Sequence, residues 1–264
     1  MTDEQRGFLA TAVRAAQAAG KLQQFHVGGD LDITTKSNET DLVTHVDKLC
    51  EERIREIILS EYPEHAIWGE EGGQDGESRW RWIVDPIDGT TNYARGFPFY
   101  CTSVGLEIDG VAQVGVVFDS VRSELFSAVR GGGAYLNGAP LQVTAEPELI
   151  KAVLATGFAY SHDSIQRNIE VFARVHSQVR SVRRPGAAAL DLCYVACGRL
   201  DGFWELNLRA WDVAAGSLII QEAGGTVTGG AGEPYRADNP TIVATNGHLH
   251  MKLVNVLELG SVIT

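Results

Sequence analysis

The chain of 264 residues contains no run of about 18 uninterrupted apolar residues, so no segment reads as a membrane span. Basic residues are in short supply: 22 Lys and Arg stand against 34 Asp and Glu, a formal net charge of −12. Such a field disfavours general binding to nucleic acid or anionic lipid, and an anionic substrate would need a metal or a local basic group to offset it. Cysteine is scarce as well. Cys50, Cys101, Cys193 and Cys197 are too few and too scattered for a disulfide framework or a zinc ribbon. Cys193 and Cys197, four apart in "DLCYVACG", read as small residues packing a helix into the core. A Walker motif, an HExxH pair and a nucleophilic serine or cysteine beside a base are all missing, and the glycine-rich "GGGAYLNG" lacks dinucleotide spacing. Nor is there a repeat, a low-complexity tract or a Pro/Ser-rich linker, so residues 1–264 read as a single unit, divisible into tightly joined lobes 1–145 and 146–264. The N-terminal "MTDEQRGFLATAVRAAQAAGK" is amphipathic and opens with acids, unlike a signal peptide, and a cytoplasmic protein is expected.

What is present begins with helix signals. Thr2 and Gln5 have capping-box spacing ahead of an amphipathic stretch ending near Gly28. A second helix is expected from Asp41 to Ser60, with Val43, Val46, Cys50, Ile54 and Ile57 on one face. Asp47 falls roughly 55° from the centre of that face. An acid at the edge of a buried stripe needs a donor or a cation, which makes it a site candidate beside the plainer reading of a solvated carboxylate. "SVGLEIDGVAQVGVVFD" gives two strands joined by Asp109-Gly110, and the pattern continues through the Asn137-Gly138 turn as an antiparallel meander. Beyond it, "AVLATGF", "DGFWEL", "GGTVT" and "TIVAT" alternate with helical stretches near 163–178, 187–197 and 212–223, as in a second sheet layered with helices.

The chemistry concentrates in acids. Glu70 and Glu71 follow Trp68-Gly69; Asp85 stops an apolar run and is separated from Asp88 by Pro86-Ile87; Asp212 opens "WDVAAGSLIIQEAGG". Carboxylates converging on one point repel one another unless a hard cation such as Mg²⁺ lies between them. Pro86 stiffens the turn, Gly89 permits close backbone approach, and Thr90-Thr91 suit a helix start whose free N–H groups favour an anion. Taken alone, Asp-x-x-Asp is more often turn chemistry than metal chemistry.

Three motifs in order, "GEE", "DPIDGTTN" and "WDVAAGSLIIQEAGG", resemble the inositol monophosphatase family within the lithium-sensitive sugar and nucleotide phosphatase superfamily. The resemblance runs from "KSNETDLVTHVD" to "GGTVT". It implies an α+β fold, a layered αβαβα sandwich with two mostly antiparallel or mixed sheets, and a homodimer. It further implies that Glu70, Asp85, the Ile87 carbonyl, Asp88 and Asp212 bind two or three Mg²⁺. Thr90, paired with Asp47, would help to activate water; Lys36 would lie in a loop covering the metals; Gly89 and Thr90 would cradle phosphate. Gly186 to Ala188 match the sugar-contacting loop, Glu205 is expected to accept a substrate hydroxyl, and Arg183 to meet substrate or the subunit interface. The implied reaction is hydrolysis of a small phosphorylated sugar or cyclitol, inositol 1-phosphate foremost, by metal-activated water without a covalent intermediate.

This chain carries Ala187 where the animal enzymes carry threonine, Arg209 where they carry histidine and Tyr93 where phenylalanine is usual, so reaction type is better specified than substrate. Thr91, where nucleotide and histidinol phosphatases of the superfamily more often have lysine, resembles the inositol and sugar branch. Fructose 1,6-bisphosphate, histidinol phosphate, NADP and adenosine 3′,5′-bisphosphate remain alternatives. So does a regulatory binding protein of the transcription machinery on the same fold, with Arg174, Arg180, Arg183 and Arg184 in "RVHSQVRSVRRPG" as its basic cluster. A solvated face or a subunit contact is the plainer role for those arginines.

Overall fold

The structure, a computed structural model, describes residues 1–29, 31–35, 42–158, 162–237 and 239–259. Lys36, expected in a loop covering the metals, falls outside them.

Helix α1 (Asp3–His26) begins at the Thr2 capping box read from the sequence. After the two-residue strands β1 (Thr34–Thr35) and β2 (Leu42–Val43), which pair antiparallel, comes α2 (His45–Glu61). Its start is four residues later than the expected Asp41. Thr44 is the cap: its hydroxyl accepts from the Val46 N–H while the Asp47 carboxylate accepts from the Thr44 N–H at 2.8 Å, and Val43 is left in the preceding strand.

The first sheet is built from β3 (Ala66–Gly69), β4 (Gly73–Asp75), β5 (Trp80–Asp88), β6 (Cys101–Ile108), β7 (Val111–Asp119), β8 (Glu124–Val129), β9 (Gly133–Leu136) and β10 (Ala139–Pro140), with the short helix α3 (Thr90–Ala94) after β5. Its order is β10-β9-β8-β7-β6-β5-β3-β4, antiparallel except for the parallel pair β3 and β5. Asp109 and Gly110 both have positive φ, 53° and 75°, the conformation that a two-residue hairpin between β6 and β7 demands. The strand β5 runs on past the apolar stretch to Asp88 through a bulge: Asp85 pairs Ser103 and Asp88 pairs Cys101, so Pro86 and Ile87 together oppose Thr102.

The second sheet comprises β11 (Val153–Thr156), β12 (Ser181–Arg183), β13 (Gly202–Leu206), β14 (Thr226–Thr228) and β15 (Thr241–Thr245), in the order β12-β11-β13-β15-β14 with both parallel and antiparallel pairs. Helices α4 (His162–His176), α5 (Ala188–Ala196), α6 (Ala210–Glu222) and α7 (His250–Leu257) complete the chain. The three expected stretches shift by one or two residues in matching α4, α5 and α6.

Side-chain alternation sorts these elements into layers. Trp82, Val84, Val104 and Leu106 of the first sheet pack with Phe8, Ala12, Val46 and Ile54 of α1 and α2. Cys101, Val117 and Phe126 on its other face meet Leu192, Val195, Leu218 and Ile219 of α5 and α6, which also cover Ala155, Phe203 and Ile242 of the second sheet. The intervening residues Leu154, Trp204 and Val243 point outward to Val171, Val175 and Leu253 of α4 and α7. The result is the αβαβα sandwich. Cys193 is buried in the middle layer, the packing role read for it.

Candidate active site

Register places the first two acids. Gly69 pairs Val84 across the parallel strands, and the Glu70 N–H donates to the Val84 carbonyl at 3.2 Å, which sets Glu70 beside Asp85, whose carboxyl burial and then the nearby Glu70 charge push up. Helix α6 brings in the third: Ser103, opposite Asp85, donates its hydroxyl to the Trp211 carbonyl at 3.3 Å, and Asp212 follows in the first turn. Trp68 meets Trp211 edge to face at 5.9 Å, so the residues before Glu70 and Asp212 are packed together.

Asp88 reaches the middle layer. Its Oδ1 accepts from the Ala188 N–H at 3.2 Å and its Oδ2 from the Ala189 N–H at 2.6 Å, at the N-terminus of α5. Gly89 has φ of +91°, and a Cβ there would lie 3.0 Å from the Phe99 carbonyl and 3.2 Å from both Ala187 and the Gly186 carbonyl. Glycine is therefore required for the turn and for the close approach to 186–187. Asn92 Nδ2 closes the same junction by donating to the carbonyls of Phe99 and Pro185 at 2.7 and 2.9 Å.

Asp47 is completely buried, and its Oδ2 accepts from the Thr44 hydroxyl at 2.6 Å. Thr90 Oγ lies 3.2 Å from Asp47 Oδ1 and 3.0 Å from the Ile87 carbonyl. One hydroxyl proton faces two acceptors: given to Asp47, it leaves the Ile87 carbonyl free and exposes a Thr90 lone pair.

The electrostatics point to a cation. Burial, and then the charges of Glu70, Asp88 and Asp212, hold the Asp85 carboxyl well above the usual carboxylate range. Burial raises Asp88 to about 7, opposed by the Ala189 N–H and supported by the Glu70 charge. Asp85 Oδ1 is buried with no hydrogen-bond partner. Such an oxygen among three further carboxylates is the donor set of a hard divalent ion. Among the described residues no three His, Cys, Asp or Glu side chains form a ready-made metal cage; Mg²⁺ commonly keeps water in its shell and needs no such closed protein cage.

The far side of the cleft carries Glu205, against Gly157, where a Cβ would lie 2.1 Å from Oε2. Burial, then the charges of Asp212 and Asp88, push its carboxyl well up, while Arg184 pulls it back. Asp191, in the first turn of α5, is raised in the same way by burial and by Glu205 and Asp88, again against Arg184. Arg184 is thus the cation that faces this end. Arg183 is exposed and turns onto the Ser181 hydroxyl and the Val182 carbonyl. Arg174 caps α7 through the carbonyls of Val256 and Leu257, a structural duty.

Glu51 was not singled out in the sequence. One turn beyond Asp47 and 2% exposed, it accepts from the Glu71 and Gly72 N–H groups, both at 2.8 Å, and pairs with Arg55 at 2.9 Å. It anchors the loop that carries Glu70, and its four-residue spacing from Asp47 was the available signal. Glu51→Leu strands the Glu71 and Gly72 N–H groups and leaves Arg55 with the Gly73 carbonyl and the exposed Asp75, and a loss of about 2–3 kcal/mol is expected in denaturant unfolding. A loss below about 1 kcal/mol would be that of a surface pair and would remove the anchoring role.

A model of the inositol monophosphatase family matches residues 4–259. An inositol-1-monophosphatase of Synechocystis is 42% identical over 254 residues, covering 95% of this chain and 88% of that protein. The Nus factor SuhB of Pasteurella multocida is 43% identical over 226 residues, covering 83% and 84% of the two chains. The structure of an inositol monophosphatase from Anabaena superposes with a TM-score of 0.86 at 41% identity, covering 96% of this chain and 95% of the other.

Proposed function

The chain belongs to the inositol monophosphatase family, and from that premise we propose that it hydrolyses phosphate monoesters, with inositol 1-phosphate as the foremost substrate. The observation that carries the reading is Asp85, buried with an unpartnered oxygen and surrounded by Glu70, Asp88 and Asp212. Glu70, Asp85, the Ile87 carbonyl, Asp88 and Asp212 would hold two or three Mg²⁺. When bound, these ions would supply Lewis-acid stabilisation of the phosphoryl group and lower the pKa of a water.

The side chains then divide the work. Thr90, with its own proton turned to Asp47 Oδ1, would accept a hydrogen bond from the attacking water and orient it, and Glu70 would take up the proton. Gly89, by its positive φ, sets the start of α3, whose first N–H groups would receive the phosphate. Glu205, with Arg184 facing it, accepts hydroxyl groups of the leaving alcohol, and Gly186 to Ala188 floor that end of the cleft. Attack in line with the ester oxygen needs no covalent phosphoenzyme. Four free thiols fit a reducing compartment such as the cytoplasm, and among the described residues no helix is long and apolar enough to cross a membrane. A homodimer belongs to the same reading.

Phosphate release from inositol 1-phosphate, fructose 1,6-bisphosphate, histidinol phosphate, adenosine 3′,5′-bisphosphate and NADP, with and without Mg²⁺ and with Li⁺ in one arm, tests it. Highest turnover on the inositol ester, dependent on Mg²⁺ and inhibited by Li⁺, is expected. Folded protein silent on every ester would refute the enzymatic reading and favour a second one, a partner of the transcription machinery. That second reading draws on the relative named a Nus factor and on the outward-turned Arg183. A pull-down of RNA polymerase that is lost on reversing Arg180 and Arg183 would support it.

A further inference from the structure

The sheet holds the β5 bulge only at its ends, where Asp85 pairs Ser103 and Asp88 pairs Cys101, and leaves Pro86 and Ile87 between them out of register. Two residues of β5 oppose the single Thr102 of β6, and Pro86 brings no N–H to the ladder. The Pro86 carbonyl is satisfied by side chains instead. The Thr102 hydroxyl donates to it at 3.0 Å, and the Gln23 amide nitrogen at 2.9 Å. The same nitrogen donates its other hydrogen to Thr102 Oγ at 2.8 Å, while Gln23 Oε1 accepts from the Ser120 hydroxyl at 2.8 Å. Gln23, Thr102 and Ser120 are each completely buried. Every hydrogen-bonding atom of the Gln23 side chain is used, and each hydroxyl has one consistent proton direction.

The Gln23 backbone joins in. Its carbonyl accepts from the buried Tyr93 hydroxyl at 2.9 Å, and Tyr93 belongs to α3, the helix that opens with Thr90. A single residue of the outer helix α1 therefore holds the strand bearing two carboxylates and the helix bearing the threonine.

We propose that Gln23 is a positioning residue for the ion-binding bulge, fixing the aim of Asp85, the Ile87 carbonyl and Asp88 through the Pro86 carbonyl. The proposal rests on the metal-dependent reading above. Its physical basis is that the two out-of-register residues between the paired ends have several accessible twists, and a fully satisfied buried network selects one. Groups that orient metal ligands from behind commonly change ion affinity by about 10–100-fold when removed.

The test is Gln23→Leu, which keeps the volume and the helix but removes both donors and the acceptor. Mg²⁺ binding is measured by calorimetry on the intact protein, with kcat and KM for the ester alongside. Thr11→Val is the control: Thr11 is buried in the same helix, and its hydroxyl bonds Glu61 and the Gly7 carbonyl, away from the site. The expected result is Mg²⁺ affinity about tenfold weaker in Gln23→Leu and unchanged in Thr11→Val, with the lost turnover recovered at high Mg²⁺. Equal Mg²⁺ affinity in Gln23→Leu and the parent overturns the positioning role while leaving the phosphatase reading in place. A parent that binds no Mg²⁺ overturns both. Should Gln23→Leu fail to fold, Thr102→Val, which strips the other donor to the same carbonyl, is expected to weaken Mg²⁺ binding likewise, and parental affinity in it counts against the proposal.

Discussion

Asp88→Asn is expected to lower phosphate release by about 10³-fold while the protein remains folded, judged by circular dichroism and by the Tm without added ions. The carboxylate has two duties at once. It is one of the acids around the proposed ion site, and it receives two N–H groups from α5. Asparagine retains one acceptor oxygen for the shorter bond to Ala189, but it sets an NH2 group against the Ala188 N–H and removes the charge that draws an ion. For the ion-free fold the changes oppose each other. A carboxylate at a helix N-terminus is worth about 0.3–1 kcal/mol, whereas loss of a buried charge beside Glu70 relieves repulsion. Activity should therefore collapse far more than stability does. Near-parental turnover in this variant would dismantle the proposed centre.

Removal of divalent ions is expected to abolish turnover and to uncover a pH dependence of stability that the ions hide. Asp88 titrates at about 7 in the folded chain, against an ordinary 3.8, and Asp85 is shifted upward as well. Below 3.8 the proton is present on Asp88 in folded and unfolded chains alike, and the stabilisation tied to the raised value is complete. As pH climbs through about 7 the folded chain must also release that proton into a buried, negatively charged pocket, and the stabilisation is lost. Without ions the Tm should fall between about pH 5 and about pH 8. Mg²⁺ replaces the protons, so the rise in Tm that it produces should be larger at the higher pH. Scanning calorimetry with EDTA and with saturating Mg²⁺ at both values decides the matter. Equal ion-induced shifts at the two pH values would show that these acids are not the ion's ligands.

Much of this architecture was legible because it depends on local rules. The Thr2 capping box, the Asp109-Gly110 hairpin and the two-residue alternation of "TIVAT" each state their outcome within a few residues. Asp47 was legible as an acid near a buried face, and it lies completely buried within reach of Thr90. The helix start at Thr44 was misplaced because the apolar period continues backward into Val43, although the Thr44 and Asp47 spacing spelled out the box. That β5 carries both Asp85 and Asp88 was legible, but the bulge that absorbs Pro86 and Ile87 was not, because pairing with β6 fixes it. Glu51 left only its one-turn spacing from Asp47, and Gln23 left no comparable trace. Their partners lie 20 and 63 residues away, and a side chain's use at such a separation is fixed by packing, not by its neighbours in sequence.

The joining of Asp88 to the N–H groups of α5 spans 100 residues of chain, and Asp212 arrives later still. During synthesis the eight-stranded sheet is complete in sequence by Pro140, but its inner face, with Cys101, Val117 and Phe126, stays bare until α5 and α6 follow. A nascent or prematurely terminated chain thus carries Glu70, Asp85 and Asp88 without the α5 N–H groups or Asp212, so on the proposed reading its ion site is incomplete until the last third of the chain is made.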